Sequence, residues 1–241
     1  MSEKSLQVPV SRRNRPAKAP LSREVIVRTG LELLEQGGLA NLSMRKIATA
    51  LDTGSASLYV YVKDLNHLHA LMLDAALEEV EDSPDLPAVE RVKAILRSYL
   101  TVLLDRRGLA SIAAVTMPRG TGGMRLNELL LDGLLDAGVR PERAAWGVDL
   151  LTLHVTAKAA ELTAWRGQGD VVGETEAAYE RADEQAFPRL SQLHQLLFAG
   201  PGPRRFDWAL HSLINGITQT PLPPQAAAPE RDAGNGVRHV Q

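Results

Sequence analysis

The chain has 241 residues, 44% hydrophobic and 23% charged, enough apolar material for a sizeable core in one or two domains and too much for disorder throughout. Its 27 Lys and Arg nearly cancel 29 Asp and Glu, so average charge gives no sign of a polyanion binder, and a sequence without cysteine excludes disulfide scaffolds, thiolate zinc sites and cysteine nucleophiles. No stretch approaches the roughly 20 apolar residues that cross a bilayer. The hydrophilic start carries Arg12, Arg13, Arg15 and Lys18 with no apolar run behind them, so it is not a secretory signal, and the expected location is cytoplasmic.

Residues 1–20, with Pro9, Pro16 and Pro20, read as a flexible basic arm, and residues 221–241, with four prolines, as a disordered tail. Between them apolar residues recur at helical spacing, and no alternating run suits a strand meander, so the predicted fold is all-α. A first helix starts at the N-cap Ser22, with Leu21 and Ile26 as a hydrophobic staple, and stops at Gly37-Gly38; its inner face is Ile26, Gly30, Leu33 and Leu34. Ser43 caps a second helix, with Leu42 and Ile47 as its staple, and Asp52-Thr53-Gly54 breaks it. A short third helix spans about residues 54–60, and Lys63-Asp64 opens a fourth that carries Leu65, Leu68, Leu71, Met72 and Ala75. Further helices are predicted over residues 88–106, 108–115, 122–137, 141–165, 174–186, 188–198 and 204–217, each punctuated by proline or glycine.

Residues 42–63, LSMRKIATALDTGSASLYVYVK, are two short capped helices joined by a tight turn, the size of a helix-turn-helix whose second helix enters the DNA major groove. Ile47, Ala48, Leu51 and Leu58 face inward, which leaves Arg45, Ser55, Ala56, Ser57, Tyr59, Tyr61 and Lys63 outside. Small residues at the start of the second helix permit close approach to bases, hydroxyls and Lys63 suit phosphate oxygens, and Arg45 is the forked donor that suits a guanine edge. An ordinary solvated helical hairpin is the alternative at this level. Two tyrosines beside a lysine favour a binding surface.

The same residues carry a family likeness. With Gly37-Gly38, Ser43, Arg45, Ile47, Ala48, Leu51, Leu58, Tyr59, Val62, Lys63 and Leu68, residues 22–77 resemble the DNA-binding domain of the tetracycline-repressor (TetR) family of bacterial transcription regulators. The resemblance implies that Arg45, Ser55 and Ala56 face bases while Ser43, Ser57, Tyr59, Tyr61 and Lys63 grip the backbone. Three positions depart from the family pattern: Asp52 stands for the turn glycine, Gly54 for a capping serine and Leu65 for a lysine. Arg12, Arg13 and Arg15 offer a substitute contact in the adjacent minor groove, the alternative being a leader with no role.

The remaining helices have two tasks to offer, dimerisation and ligand binding. Trp146, Leu150, Leu153, Ala157, Ala160 and Ala164 form one seam at spacings of three and four, and Phe206, Leu210, Leu213, Ile214 and Ile217 form another. Helices near 141–165 and 204–217 from two subunits would build a four-helix bundle, and a two-fold dimer reads a palindromic operator; the alternative is that both seams pack within one subunit. Residues 187–217 also resemble the C-terminal end of the tetracycline-binding subfamily. There a His shortly before a T-x-P turn holds the drug-bound magnesium, whereas here Ala113 precedes Thr116-Met117-Pro118, so the likeness implies a pocket without that ligand. The candidate effector pocket is Ile112, Thr116, Met117, Met124, Leu131, Trp146 and His154, apolar walls with a few polar points.

No catalytic residue, metal site or cofactor is expected. His154, His194 and His211 lack paired ligand spacing, no G-x-S-x-G elbow occurs, and the glycines at 120, 122 and 123 lack the Lys and Ser or Thr of a phosphate loop. The predicted architecture is an arm (1–20), a three-helix DNA-binding domain (21–66), a larger helical ligand-binding and dimerisation domain (67–220) and a tail (221–241). The predicted function is a homodimeric transcriptional regulator, a repressor released from a palindromic DNA operator by a small-molecule effector. The alternative is a helical small-molecule binding or enzymatic domain whose N-terminal hairpin contacts a protein. Near-neutrality hides a division: residues 1–65 hold ten basic side chains against six acids, a net of +4, and residues 66–241 hold 17 against 23, a net of -6.

Overall fold

The computed structural model describes residues 20–224, and among these every regular element is helical, eleven α-helices and one 3-10 turn. The arm, with Arg12, Arg13 and Arg15, and the tail beyond residue 224 lie outside the described residues. Local chemistry accounts for the first four helices. Helix α1 (Arg23–Gly37) begins where Ser22 Oγ accepts the Val25 N–H and ends at Gly38, whose φ of 64° turns its own N–H back to the Leu34 carbonyl. A 3-10 turn, Leu39–Asn41, was not foreseen from spacing. Side chains hold it: Asn41 Nδ2 donates to the Leu33 carbonyl at 3.2 Å, and Lys46 Nζ donates to Asn41 Oδ1 at 2.8 Å.

Helix α2 (Met44–Ala50) starts with Ser43 Oγ accepting the Lys46 N–H, and α3 (Ser55–Leu58) follows a turn in which Asp52 takes a positive φ of 50°. That left-handed residue is how an aspartate replaces the turn glycine. Gly54 supplies no side-chain cap, so α3 is held by its packing: Leu58, and Val62 just after the helix, are fully buried in the same core as Ile47 and Leu68. Asp64 Oδ1 accepts the His67 N–H at 2.7 Å and opens α4 (Leu65–Leu77), which packs on α1 at one end and on the following helices along its length.

Helix α5 (Ala88–Asp105) is the spine of the body, covered by α7 (Thr121–Asp136), α8 (Pro141–Trp165) and α11 (Gly202–Gln219), with the short α6 (Leu109–Ala113) closing the end toward α4. Ile95, Leu96, Leu103, Leu130, Leu151 and Val155 fill the space between them. One polar pair lies inside this core, Tyr99 Oη and Thr156 Oγ1 at 2.7 Å, which satisfies both hydroxyls. Helices α9 (Val171–Glu180) and α10 (Pro188–Phe198) pack on each other, and neither has a buried residue.

Several boundaries differ from expectation. Helix α9 begins at Val171 because Asp170 Oδ1 accepts the Gly173 N–H, and it stops at Glu180, with residues 181–187 forming turns. Helix α11 begins at Gly202, with Pro203 in its first turn. The larger difference concerns the second seam. Phe206, Leu210, Leu213, Ile214 and Ile217 pack on α8 and α5 of the same chain, so close that a Cβ on Gly147 would meet Ile217 at 2.9 Å. Spacing identifies an apolar face but not the surface that covers it.

Candidate nucleic-acid interface and effector site

The outward edge of the head is built by α2, α3 and the start of α4. Leu42, Ile47, Ala48, Leu58 and Val62 are buried and fix the angle between α2 and α3. With those five turned inward, the helix periodicity turns Arg45, Ala56, Ser57, Tyr59 and Lys63 out, and all five are exposed. Ser55 is half-buried at the first position of α3. Ser43 is half-buried and its hydroxyl is the α2 cap, while Tyr61 is half-buried and rests on the core with its ring. Leu65 likewise packs on the core, so the position where the family often carries a lysine is turned partly inward here.

Two further features were missed. Val60 is 79% exposed between the two tyrosines, an apolar side chain at the end of the recognition helix that only its flanking Y-V-Y pattern signals. Lys46 is exposed, yet its Nζ is bonded to the Ala40 carbonyl at 3.2 Å and to Asn41, which draws the ammonium into the turn behind α2.

The head is joined to the body by charge as well as packing. Arg106, after α5, donates from Nη2 to both carboxylate oxygens of Glu79 at 2.5 and 2.7 Å, and its Nε lies 3.7 Å from Glu35 on α1. That Nε is buried without a hydrogen-bond partner. One guanidinium therefore faces a carboxylate from the DNA-binding head and another from the turn that follows α4. On the other side of α4, Asp74 Oδ1 accepts the Gly123 N–H at 2.9 Å, Arg125 donates to the Val80 carbonyl at 2.7 Å, and Thr121 donates to Glu78 at 3.0 Å. The start of α7 is thereby fastened to α4.

In the body, the first seam is open to solvent. Trp146, Leu150 and Leu153 are 58%, 43% and 62% exposed along one face of α8, whereas Val148, Leu151 and Val155 on the opposite face are buried. Trp208 adds a second exposed aromatic, from α11, at 73%. The seven candidate pocket residues differ widely in burial. Ile112 is in the core and Leu131 packs against it; Met117 and Met124 are 78% and 64% exposed; Thr116 is half-buried in the turn before α7; Trp146 is on the open face. His154 is half-buried and stacked on Phe206 with ring centroids 5.9 Å apart, and its Nε2 is buried without a partner. Burial, and after it the Lys158 charge, lowers its pKa below the ordinary histidine value.

A cleft of about 1170 Å³ lies between α5, α8, α9, α10 and the start of α11. Its apolar wall includes Leu100, Leu104, Leu162, Trp165, Leu197 and Phe198, and its polar points include Arg97, Lys158, Glu161, Arg204 and Arg205. None of the seven predicted residues lines it. These residues come from five helices, and no local spacing marks them as neighbours.

A short outward helix of small residues, flanked by phenols, an arginine and a lysine and carried on a capped two-helix support, defines a helix-turn-helix DNA-binding protein with a larger helical body. Comparison with known proteins gives the family. The chain matches the model "Bacterial regulatory proteins, tetR family" over residues 26–63 and "Tetracyclin repressor-like, C-terminal domain" over residues 83–220, and it belongs to the TetR family of transcriptional regulators, which are not enzymes. It is 31% identical to an HTH-type transcriptional regulator of Saccharopolyspora erythraea, covering 84% of this chain and 87% of that protein. It is 34% identical to the HTH-type transcriptional repressor DrrR1 of Streptomyces coeruleorubidus, covering 84% and 80%. Among solved structures, ActR of Streptomyces coelicolor in complex with actinorhodin is similar at 36% identity and a TM-score of 0.74, covering 83% of this chain and 96% of that one. Among the described residues no helix is long and apolar enough to cross a membrane.

Proposed function

We propose that this TetR-family regulator is a repressor that binds a palindromic operator as a homodimer in the cytoplasm and is released by a small-molecule effector. The exposed apolar face of α8 carries the dimer reading. Three large side chains, Trp146, Leu150 and Leu153, stand in line where an isolated chain would keep polar groups. Paired across a two-fold axis, such faces form a bundle, and the axis sets the separation of the two α3 helices. Arg45, Ser55 and Ala56 are the base-facing set, and Ser43, Ser57, Tyr59, Tyr61 and Lys63 the backbone-facing set. The likeness to DrrR1, a repressor, and to ActR, which holds actinorhodin in a solved structure, supports repression and release by a small molecule. The effector reading requires reciprocal coupling, in which ligand weakens operator binding by the same factor as operator weakens ligand binding.

Gel-shift titration of operator DNA tests this reading. Trp146→Glu with Leu153→Glu should give a monomer with far weaker operator binding. A double variant that stays dimeric and binds the operator as before would remove α8 from the interface.

A further inference from the structure

We propose that Val60 is a base-reading residue, and that it packs on the 5-methyl group of a thymine in each half of the operator. The assignment rests on the reading of Arg45, Ser55 and Ala56 as the base-facing set. Exposure alone does not single Val60 out, because isolated apolar side chains are common on protein surfaces. Its place in the head does. The helical turn continues past the last residue of α3: Tyr59 keeps right-handed φ and ψ of -68° and -11°, and the Val62 N–H donates to the Leu58 carbonyl at 3.0 Å. Val60 is two residues from each of Leu58 and Val62, hence about 200° around the helix from both. Those two are fully buried, so Val60 points almost straight out of the head, and it is 79% exposed.

The neighbours leave that side chain room to reach the floor of a groove. Ser55, Ala56 and Ser57 open α3, and none has a side chain long enough to hold the helix off the bases. Ala56, four residues before Val60, lies on the same line of the helix surface and is exposed as well. The two form an apolar strip along the outward face, with Ser57 on one side and Tyr59 on the other. Leu58 and Val62 belong to the core and Tyr61 and Leu65 rest on it, whereas Val60 adds nothing to it. A β-branched residue is also a modest helix former, so the stability of α3 does not account for it.

Chemistry names the occupant. Val60 has no donor or acceptor, so it bonds neither a phosphate oxygen nor the polar edge of guanine, adenine or cytosine. Lying against one of those edges would strip water from it with no bond in return. In the major groove the apolar feature of a base edge is the thymine 5-methyl group. The phenol of Tyr59 and the ammonium of Lys63, both exposed nearby, suit the phosphates that flank such a base.

Replacement of each operator thymine by deoxyuridine, one at a time, removes only the methyl group. The test uses the full-length protein and the operator that it selects from random duplexes. The wild type should lose about fourfold in affinity at one thymine per half-site, the worth of about one buried carbon. Val60→Ser should melt as the wild type does, bind thymine at that position about as weakly as deoxyuridine, and keep the wild-type response at every other thymine. The assignment is overturned if no thymine responds in the wild type, or if Val60→Ser still responds at the same thymine. A uniform fall in affinity with that response intact marks a contact with the sugar-phosphate backbone instead. A wild type that selects no sequence overturns the base-facing reading and this assignment together. A flat thymine scan on a selected operator, with Arg45→Ala relaxing base choice, leaves the base-facing reading standing and removes Val60 from it.

Discussion

Gly122 is where the helical body meets the helix that carries the DNA-binding head, and its replacement by alanine is the most informative single change. A Cβ built on Gly122 lies 2.0 Å from the Asp74 carbonyl oxygen and 3.2 Å from the Glu78 nitrogen. Ordinary contact begins near 3.4 Å, so α4 and α7 must part by more than about 1 Å at this point, and the obstacle is backbone that cannot rotate aside. Overpacking costs about 1–3 kcal/mol, and a backbone obstacle belongs at the top of that range. Alanine's helix propensity returns about 1 kcal/mol, which leaves a net destabilisation of about 2 kcal/mol. For a chain of this size the melting temperature should fall by about 4–8 °C. The separation also strains the Gly123 to Asp74 hydrogen bond, so operator affinity should fall along with stability. Gly30→Ala is the contrast: its obstacle is Met72 Sδ at 2.8 Å, the flexible end of a thioether, and stability should stay within about 1 kcal/mol of wild type. A Gly122→Ala protein that melts at or above wild type and binds operator unchanged would refute the close α4–α7 contact as the coupling element.

Other consequences are open to direct measurement. Arg45→Ala should relax base preference in a selection experiment, whereas Lys63→Ala should weaken all duplexes alike and lower the salt dependence of binding. Thr156→Val leaves the Tyr99 hydroxyl buried without a partner and should cost about 1–3 kcal/mol in urea unfolding. Arg106→Gln removes the charge facing Glu79 and Glu35; both carboxylates are more than half exposed, so the stability loss should be no more than about 1 kcal/mol, while operator affinity should change. Burial holds the pKa of His69 and of His154 below the ordinary histidine value. The unfolded chain therefore takes up protons that the folded one rejects as pH falls through about 6.5, so stability is lost on acidification through that range and is flat above it. His154→Gln should flatten part of that slope in melting curves taken between about pH 7.5 and 5.

The head was legible because its signals are local. Ser22, Ser43 and Asp64 each cap a helix with their own side chains, within three residues of the donor, and Asp52 could be read as a left-handed turn residue from its chemistry alone. Helices α8 and α10 begin at Pro141 and Pro188, where proline's fixed φ suits a first turn, and both bounds were readable. The body was less legible because its arrangement depends on contacts far apart in sequence. The seam on α11 was real as a pattern and misassigned as a surface, since α8 of the same chain covers it. The cleft joins residues from 97 to 207 across five helices, and two methionines chosen for a pocket, Met117 and Met124, face solvent instead. The 3-10 turn after α1 depends on Asn41 and Lys46 side-chain bonds, which hydrophobic spacing does not register.

The central claim is that two copies, joined through the α8 face, place two outward α3 helices on one operator. Selection from random duplexes with the wild type and with the Trp146→Glu, Leu153→Glu double variant tests it most directly. The wild type should enrich an inverted repeat with half-sites about one helical turn apart or a multiple of it, and the double variant should enrich a single half-site weakly or nothing. Enrichment of one unsymmetrical site by both proteins, or of the same inverted repeat with undiminished affinity by the double variant, would contradict the account.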